Sequence, residues 1–265
     1  MTVVQRNGRD ATAADLAPLA FAGYAHFTAA QVRGGGIRGL DLHLTRLREA
    51  SVRMFGHALP DDRIRAYVRT ALAAGPADVS LTVTVYSRPG EFVVAPGDTE
   101  LDVLVRTGPP NAGPAGPLAL TVVDYERPLP GIKHVGEVAK TFYMRQAVAA
   151  GFDDAAFVDR RGRFSEATIW NLAFREGNTV VWPEADMLIG TSMGILRSRL
   201  AELGVPQRTG PVTPGDLPRL SGAVVLNSWT PAVPIRRIGT VDIPDSEEFA
   251  QLLHRAYREE PFVAP

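Results

Sequence analysis

The hydrophobic pattern along the chain divides it into strand-rich and helix-rich stretches. "TVVQRNGRDAT" alternates around Asn7-Gly8, a dipeptide suited to a two-residue hairpin turn. "YAHFTAAQV" (24–32) alternates as a strand does. In "DLHLTRLREASVRMFG" (41–56), Leu44, Leu47, Val52 and Phe55 recur near helical spacing, so a helix is expected, capped by Asp41 and ended by Gly56. "PDDRIRAYVRTALAAG" reads as a second helix, with Pro60 and two acids at its start. Three strands are expected next: "VSLTVTVYSR", "EFVVAP" and "LDVLVRTG".

The Pro- and Gly-rich "PPNAGPAGP" (109–117) interrupts this order and reads as a linker. Beyond it, "LALTVVDYERP" and "AAFVD" read as strands, with a turn at "RRGR". "TIWNLAFREGNTVVWP" reads as a hairpin turning at "EGN". "TSMGILRSRLAELG" reads as a helix capped by Thr191 or Ser192 and closed by Gly204. Two strands, "GAVVLNSW" and "AVPIRRIGTVDI", precede a last helix in which Asp245 and Glu248 have capping-box spacing. Strands arrive in runs rather than alternating with helices, which points to α+β halves and not to a doubly wound sheet. The expected organisation is a small domain over 1–108, the linker 109–117 and a larger domain over 118–265.

Composition narrows the function. A chain of 265 residues, 45% hydrophobic and 22% charged, can bury a sizeable core. Its 28 basic and 29 acidic residues leave a formal net charge of −1, which does not suit phosphate-backbone binding. It has no cysteine, so disulfides, thiolate metal sites and a cysteine nucleophile are excluded. That absence fits a cytoplasmic location, as does a start without a secretory signal; no stretch is apolar enough to span a membrane. "GGGIRG" (34–39) formally matches G-x-G-x-x-G. The acids about 20 residues on, Asp61 and Asp62, sit at a helix start rather than a strand end, so the run reads as a hairpin loop. His26, His43, His57, His134 and His254 show no metal-ligand spacing, so no metal site is expected.

"GIKHVGEVAKTFYMRQAVAAG" holds two lysines seven positions apart, Lys133 and Lys140. Lys133 follows "PLPG" and leaves a turn just ahead of a helix. Lys140 lies inside that helix, where lysine is usually solvated. A Schiff-base lysine must be held in a pocket and lose its proton readily, which favours Lys133. Downstream come Asp154-Ala155, a turn around Gly162, Ser165-Glu166, and Asn171 five residues after the glutamate. This series resembles the signature of class IV aminotransferases, the fold-type-IV pyridoxal phosphate enzymes. "DLHLTRLREAS", with His43, Arg46 and Leu47, resembles the family's H-x-x-R-L segment. "LIGTSMGIL" resembles its turn into a phosphate-binding helix, with Ile189 where proline is usual. "VVLNSWTPAVPI" resembles its late pocket-closing strand. Together these span roughly residues 20 to 245.

The resemblance implies a fold-type-IV architecture: a small α+β domain, a larger domain with a barrel-like sheet, and pyridoxal 5'-phosphate between them. It implies Lys133 as the Schiff-base lysine and Glu166 beside the pyridine nitrogen. Arg46, Thr191, Ser192, Asn227 and Ser228 are implied around the phosphate. It also implies a homodimer and an amino acid or amino-chorismate-like substrate. In the first domain Tyr24 and His26 replace small or acidic residues, and Thr28 replaces a glutamate; these three are candidates for the substrate side. Arg33, Arg38 and Arg106 are candidates for its carboxylate. Val138 stands where the family has a tyrosine. The implied activity is amino transfer between an amino acid and a keto acid. Phe27-Thr28, Lys133-His134, and Asn227-Ser228 with Pro231 resemble the aminodeoxychorismate lyases, so pyruvate elimination to p-aminobenzoate is the alternative. A cofactor-binding, non-catalytic member is a further one.

Overall fold

A computed structural model describes residues 2–21, 23–89, 99–244 and 246–265. The chain divides into two compact units. The first comprises Met1–Asn111, Ile132–Gly136 and Pro261–Pro265; the second comprises Ala112–Gly131 and Glu137–Glu260. The sequence pattern alone assigns 132–136 and 261–265 to the later domain. Backbone pairing places them in the first unit instead, as described below.

The first unit opens with a hairpin of β1 (Val4–Arg6) and β2 (Arg9–Asp10). Its turn residues Asn7 and Gly8 both have positive φ, as an Asn-Gly hairpin turn requires. Helix α1 (Ala13–Phe21) follows, an element the hydrophobic pattern did not disclose. Then come β3 (Ala25–Arg33), β4 (Gly36–Arg38), α2 (Leu40–Phe55), α3 (Asp61–Ala73), β5 (Val79–Ser87) and β6 (Leu101–Gly108). The expected strand "EFVVAP" lies outside the described residues. Helix α2 begins after Gly39 in the left-handed region, with no side-chain cap, so Asp41 sits in the first turn and is not its cap. Gly56 ends it in the left-handed conformation, as expected.

The sheet of this unit runs β16–β4–β3–β5–β6–β1–β2, where β16 is Phe262–Val263. Its core joins Leu40, Leu44 and Leu47 of α2 and Ile64, Val68 and Ala71 of α3 to alternate strand residues such as Val83, Val85, Val103 and Val105. Gly34 and Gly35, both at positive φ, make the β3–β4 turn, so the glycine run is a hairpin loop. β5 occupies one edge of β3 along 25–32. On the opposite edge, ahead of β4, lies the segment 132–136: Phe27 N–H donates to the Lys133 carbonyl (2.8 Å) and Val135 N–H to the Ala25 carbonyl (3.0 Å).

The second unit contains β7 (Leu118–Asp124), α4 (Val138–Ala149), β8 (Asp154–Val158), β9 (Phe164–Ala167), β10 (Asn171–Glu176) and β11 (Thr179–Pro183). After them come α5 (Thr191–Glu202), β12 (Gln207–Gly210), β13 (Gly222–Leu226), β14 (Val233–Ile238), β15 (Val241–Asp242) and α6 (Ser246–Arg258). The capping box expected at the start of α6 involves Asp245, outside the described residues. Strands β10–β13–β14–β7–β8–β9 form a sheet closed into a six-stranded barrel by the pairing of Glu166 on β9 with Asn171 on β10.

Period-two alternation distributes the side chains of each barrel strand. Leu118 and Leu120 of β7, Ala156 and Val158 of β8, Leu172 and Phe174 of β10, and Ala223 and Val225 of β13 share the main core. The intervening Ala155 and Phe157 pack in a cluster with Ala147 of α4. Ala173, Val224 and Leu226 pack with residues of α5 and α6, including Met193, Leu196, Phe249 and Leu253. The barrel is thus filled on one face of its strands and sheathed by helices on the other. No described helix is long and apolar enough to cross a membrane.

Candidate active site

Glu166 sits on the short strand β9, 4% exposed. A carboxylate so deeply buried needs cations or donors. It has two: Lys140 Nζ lies 2.9 Å from its Oε2, and Arg127 Nη1 lies 3.5 Å from the same oxygen. Glu137 closes the group, 2.6 Å from Arg127 Nη2 and 3.7 Å from Lys140 Nζ. Two acids and two bases alternate, so the cluster is formally neutral. Glu166 Oε1 is buried and has no hydrogen-bond partner.

This overturns the expectation that Lys140 is solvated. It is 5% exposed, and α4 carries it inward, where its ammonium lies 6.0 Å from the centre of the Phe157 ring. Burial pushes its pKa down, and Glu166 opposes that shift. Arg127 and Glu137 were not singled out from sequence. Their one local signal was the three-residue spacing from Glu137 to Lys140, which places them on one helical face.

From Glu166 the barrel seam leads to a helix terminus. Asn171, its backbone partner, donates from Nδ2 to the Leu188 carbonyl (2.7 Å), and its Oδ1 abuts Gly190 so closely that no Cβ would fit there. Gly190 is the N-cap of α5 and no side chain caps the helix, so Thr191 and Ser192 are its first two residues and not caps. Ser192 Oγ donates to the Asn227 carbonyl (2.8 Å), whereas Thr191 Oγ1 is buried without a partner. Asn227 Oδ1 accepts from the N–H groups of Trp229 (2.9 Å) and Thr230 (3.0 Å). Its side chain therefore shapes the turn that carries Ser228, and its Nδ2 donates to the Ile169 carbonyl (3.5 Å). The uncapped N–H groups of α5 and the helix dipole favour an anion at this end.

The first unit holds the remaining candidates. Lys133 is half-buried, with Nζ 4.8 Å from the centre of the Phe27 ring. Arg46 is half-buried on α2. His43 is buried between polar and charged neighbours: its Nδ1 lies 2.6 Å from Thr28 Oγ1, and burial, helped by the Arg46 and Lys133 cations, pushes its pKa down to about 3. The structure therefore gives Thr28 a partner within its own unit. His26, fully buried, has Nε2 2.9 Å from Ser51 Oγ, and burial lowers its pKa to about 4. The Tyr24 hydroxyl donates to the Met54 carbonyl (2.8 Å). All three candidate substrate-side residues thus have polar atoms engaged inside the first unit. Among the described residues no three acidic or histidine side chains gather as a metal site would require.

A six-stranded closed barrel flanked by helices, with a separate smaller sheet, is the architecture of the fold-type-IV pyridoxal phosphate enzymes. The structure of 4-amino-4-deoxychorismate lyase from Pseudomonas aeruginosa superposes with a TM-score of 0.81 at 22% identity, covering 97% of this chain and 99% of that one. A hypothetical aminotransferase from Mycobacterium tuberculosis, in its PLP-bound form, gives 0.80 at 21% identity over 98% and 100% of the two chains. The profile of amino-transferase class IV matches residues 25–238, and the chain belongs to that family. A probable branched-chain-amino-acid aminotransferase of Synechocystis sp. is 26% identical over 117 residues, 43% of this chain. The matched stretch spans 38% of that relative, less than half its length.

Proposed function

We propose that this chain is a pyridoxal 5'-phosphate enzyme that moves an amino group between an amino acid and a keto acid. The observation that carries the reading is a pair of unfilled polar positions joined along the barrel seam. Glu166 Oε1 is a buried acceptor without a donor, and Thr191 Oγ1 is a buried hydroxyl at an uncapped helix start. A pyridine nitrogen that carries a proton suits the first, and a phosphate suits the second. The residues present therefore fit the cofactor. When bound, it would supply an electron sink for bond breaking at the α-carbon of an amino acid.

Glu166 would keep the ring nitrogen protonated, and Thr191, Ser192 and the α5 backbone would hold the phosphate, with Ser228 and Arg46 as further donors. Asn227 would act through the turn it folds. Lys133 would provide the attachment amine and afterwards move protons at the substrate's α-carbon. Lys140 does not suit that role. Its ammonium is paired with Glu166, and the ring nitrogen and the aldehyde carbon lie at opposite ends of the pyridine ring. Family membership also supports a homodimer. Phe27-Thr28 and Lys133-His134 support a second reading, pyruvate elimination from aminodeoxychorismate.

Borohydride reduction of the protein loaded with pyridoxal phosphate, followed by peptide mass mapping, tests the assignment. The pyridoxyl group is expected on Lys133 and absent from Lys133→Ala. A label on Lys140, or no lysine labelled, refutes it. Amino-donor assays against aminodeoxychorismate turnover then separate the two activities.

A further inference from the structure

We propose that Lys140 is a positioning residue for Glu166: it holds one carboxylate oxygen and so reserves the other as the acceptor for the cofactor's ring nitrogen. This rests on the reading above that Glu166 meets that nitrogen. The geometry is asymmetric. Both cations near Glu166 approach Oε2, Lys140 at 2.9 Å and Arg127 at 3.5 Å, and Oε1 has no hydrogen bond. A buried oxygen without a donor is costly, and a carboxylate free to turn would bring both oxygens to the available cations.

Lys140 opposes that rotation because it is itself held. Glu137, one helical turn earlier, lies 3.7 Å from Nζ, and Glu137 also binds Arg127 at 2.6 Å. The lysine therefore cannot follow the carboxylate without giving up its second acid. A lysine seven residues after the attachment lysine acts here at the opposite end of the ring, through a neighbour and without touching the reacting atoms.

The test uses full-length protein loaded with pyridoxal phosphate labelled with 15N in the ring. Wild type is expected to show the ring-nitrogen shift of a protonated pyridine, and Glu166→Gln that of an unprotonated one. Lys140→Met should move towards the Glu166→Gln value and bind cofactor about tenfold or more weakly, the scale of one charged hydrogen bond. Lys140→Arg should restore the wild-type shift. Lys140→Met/Glu166→Gln should be no worse than Glu166→Gln alone. Lys140→Ala, which also removes the donor, gives the same readout if Lys140→Met fails to fold.

A merely structural lysine would lower stability in both backgrounds and leave the ring nitrogen unchanged. A wild-type shift and affinity in Lys140→Met or Lys140→Ala overturns the inference while the proposed function stands. Losses that simply add in the double variant overturn it too. If wild type takes up no cofactor, the proposed function falls and the inference with it.

Discussion

Gly190→Ala should loosen the second unit although it adds a single methyl group. The φ of Gly190 is −68°, which alanine tolerates, so the effect is one of space. The added Cβ would overlap Asn171 Oδ1. That amide cannot swing aside without cost, because its Nδ2 is bonded to the Leu188 carbonyl at 2.7 Å in a residue only 6% exposed. Displacing it forfeits about 1 kcal/mol for the hydrogen bond and about 1–2 kcal/mol for the buried carbonyl left unpaired. Alanine is also a poorer N-cap than glycine by a few tenths of a kcal/mol. The sum is about 2–3 kcal/mol, a fall of about 1 M in the urea midpoint for a domain of this size. Trp170, Trp182 and Trp229 are the chain's three tryptophans, and all lie in the second unit, so fluorescence follows this unit alone. Gly190→Ala/Asn171→Ala, from which the obstructing amide is gone, should fall below Asn171→Ala only by the small N-cap difference. A wild-type urea midpoint for Gly190→Ala refutes the steric argument.

Three further outcomes are expected. His26 and His43 are held neutral, with pKa values of about 4 and about 3 against about 6.5 in the unfolded chain, so the unfolded state binds more protons as pH falls below 6.5. Their contribution is complete above that pH and is lost on acidification towards the folded values. His43→Gln should flatten the dependence by up to about 1.4 kcal/mol per pH unit, read from urea midpoints between pH 6.5 and 5. Trp170→Phe removes the indole N–H that donates to Asp154 Oδ2 at 2.9 Å; the buried carboxyl keeps Thr168, and calorimetry should show a loss of about 1–3 kcal/mol. Phe174→Ala, in the barrel core at 0% exposure, should cost about 3–5 kcal/mol by the same fluorescence assay, and a loss below about 1 kcal/mol would contradict the packing described.

Local chemistry carried much of the fold into the sequence. Asn7-Gly8, Gly56 and the turn at Gly177 mark sharp reversals because each needs a positive φ, and all three have it. The series from Asp154 to Asn171 was legible because its spacing follows the barrel strands that carry it. What was hidden depended on long-range pairing. Barrel closure rests on Glu166 meeting Asn171, and the placement of 132–136 rests on two backbone hydrogen bonds to residues more than a hundred positions earlier. The burial of Lys140 is hidden because a lysine in a helix carries no mark of burial; its acids arrive from Glu137 one turn back and from β9. The hydroxyls of Thr191 and Ser192 suit a cap position, but Asn171 fills the space where a capping side chain would stand.

The alternation of segments between the two units has a consequence for how the protein is made. The first unit draws one strand-like piece from 132–136, and its edge strand β16 comes from residues 262–263, where Phe262 and Val263 pair with Arg38 and Ile37. Arg69 also bonds the carbonyl of Pro265 (3.0 Å). On a ribosome, the first hundred residues would thus emerge with one rim of their sheet open until residues 262–263 appear. The exposed rim is a template for unwanted pairing during that interval, so the nascent chain should be vulnerable until β16 has been made.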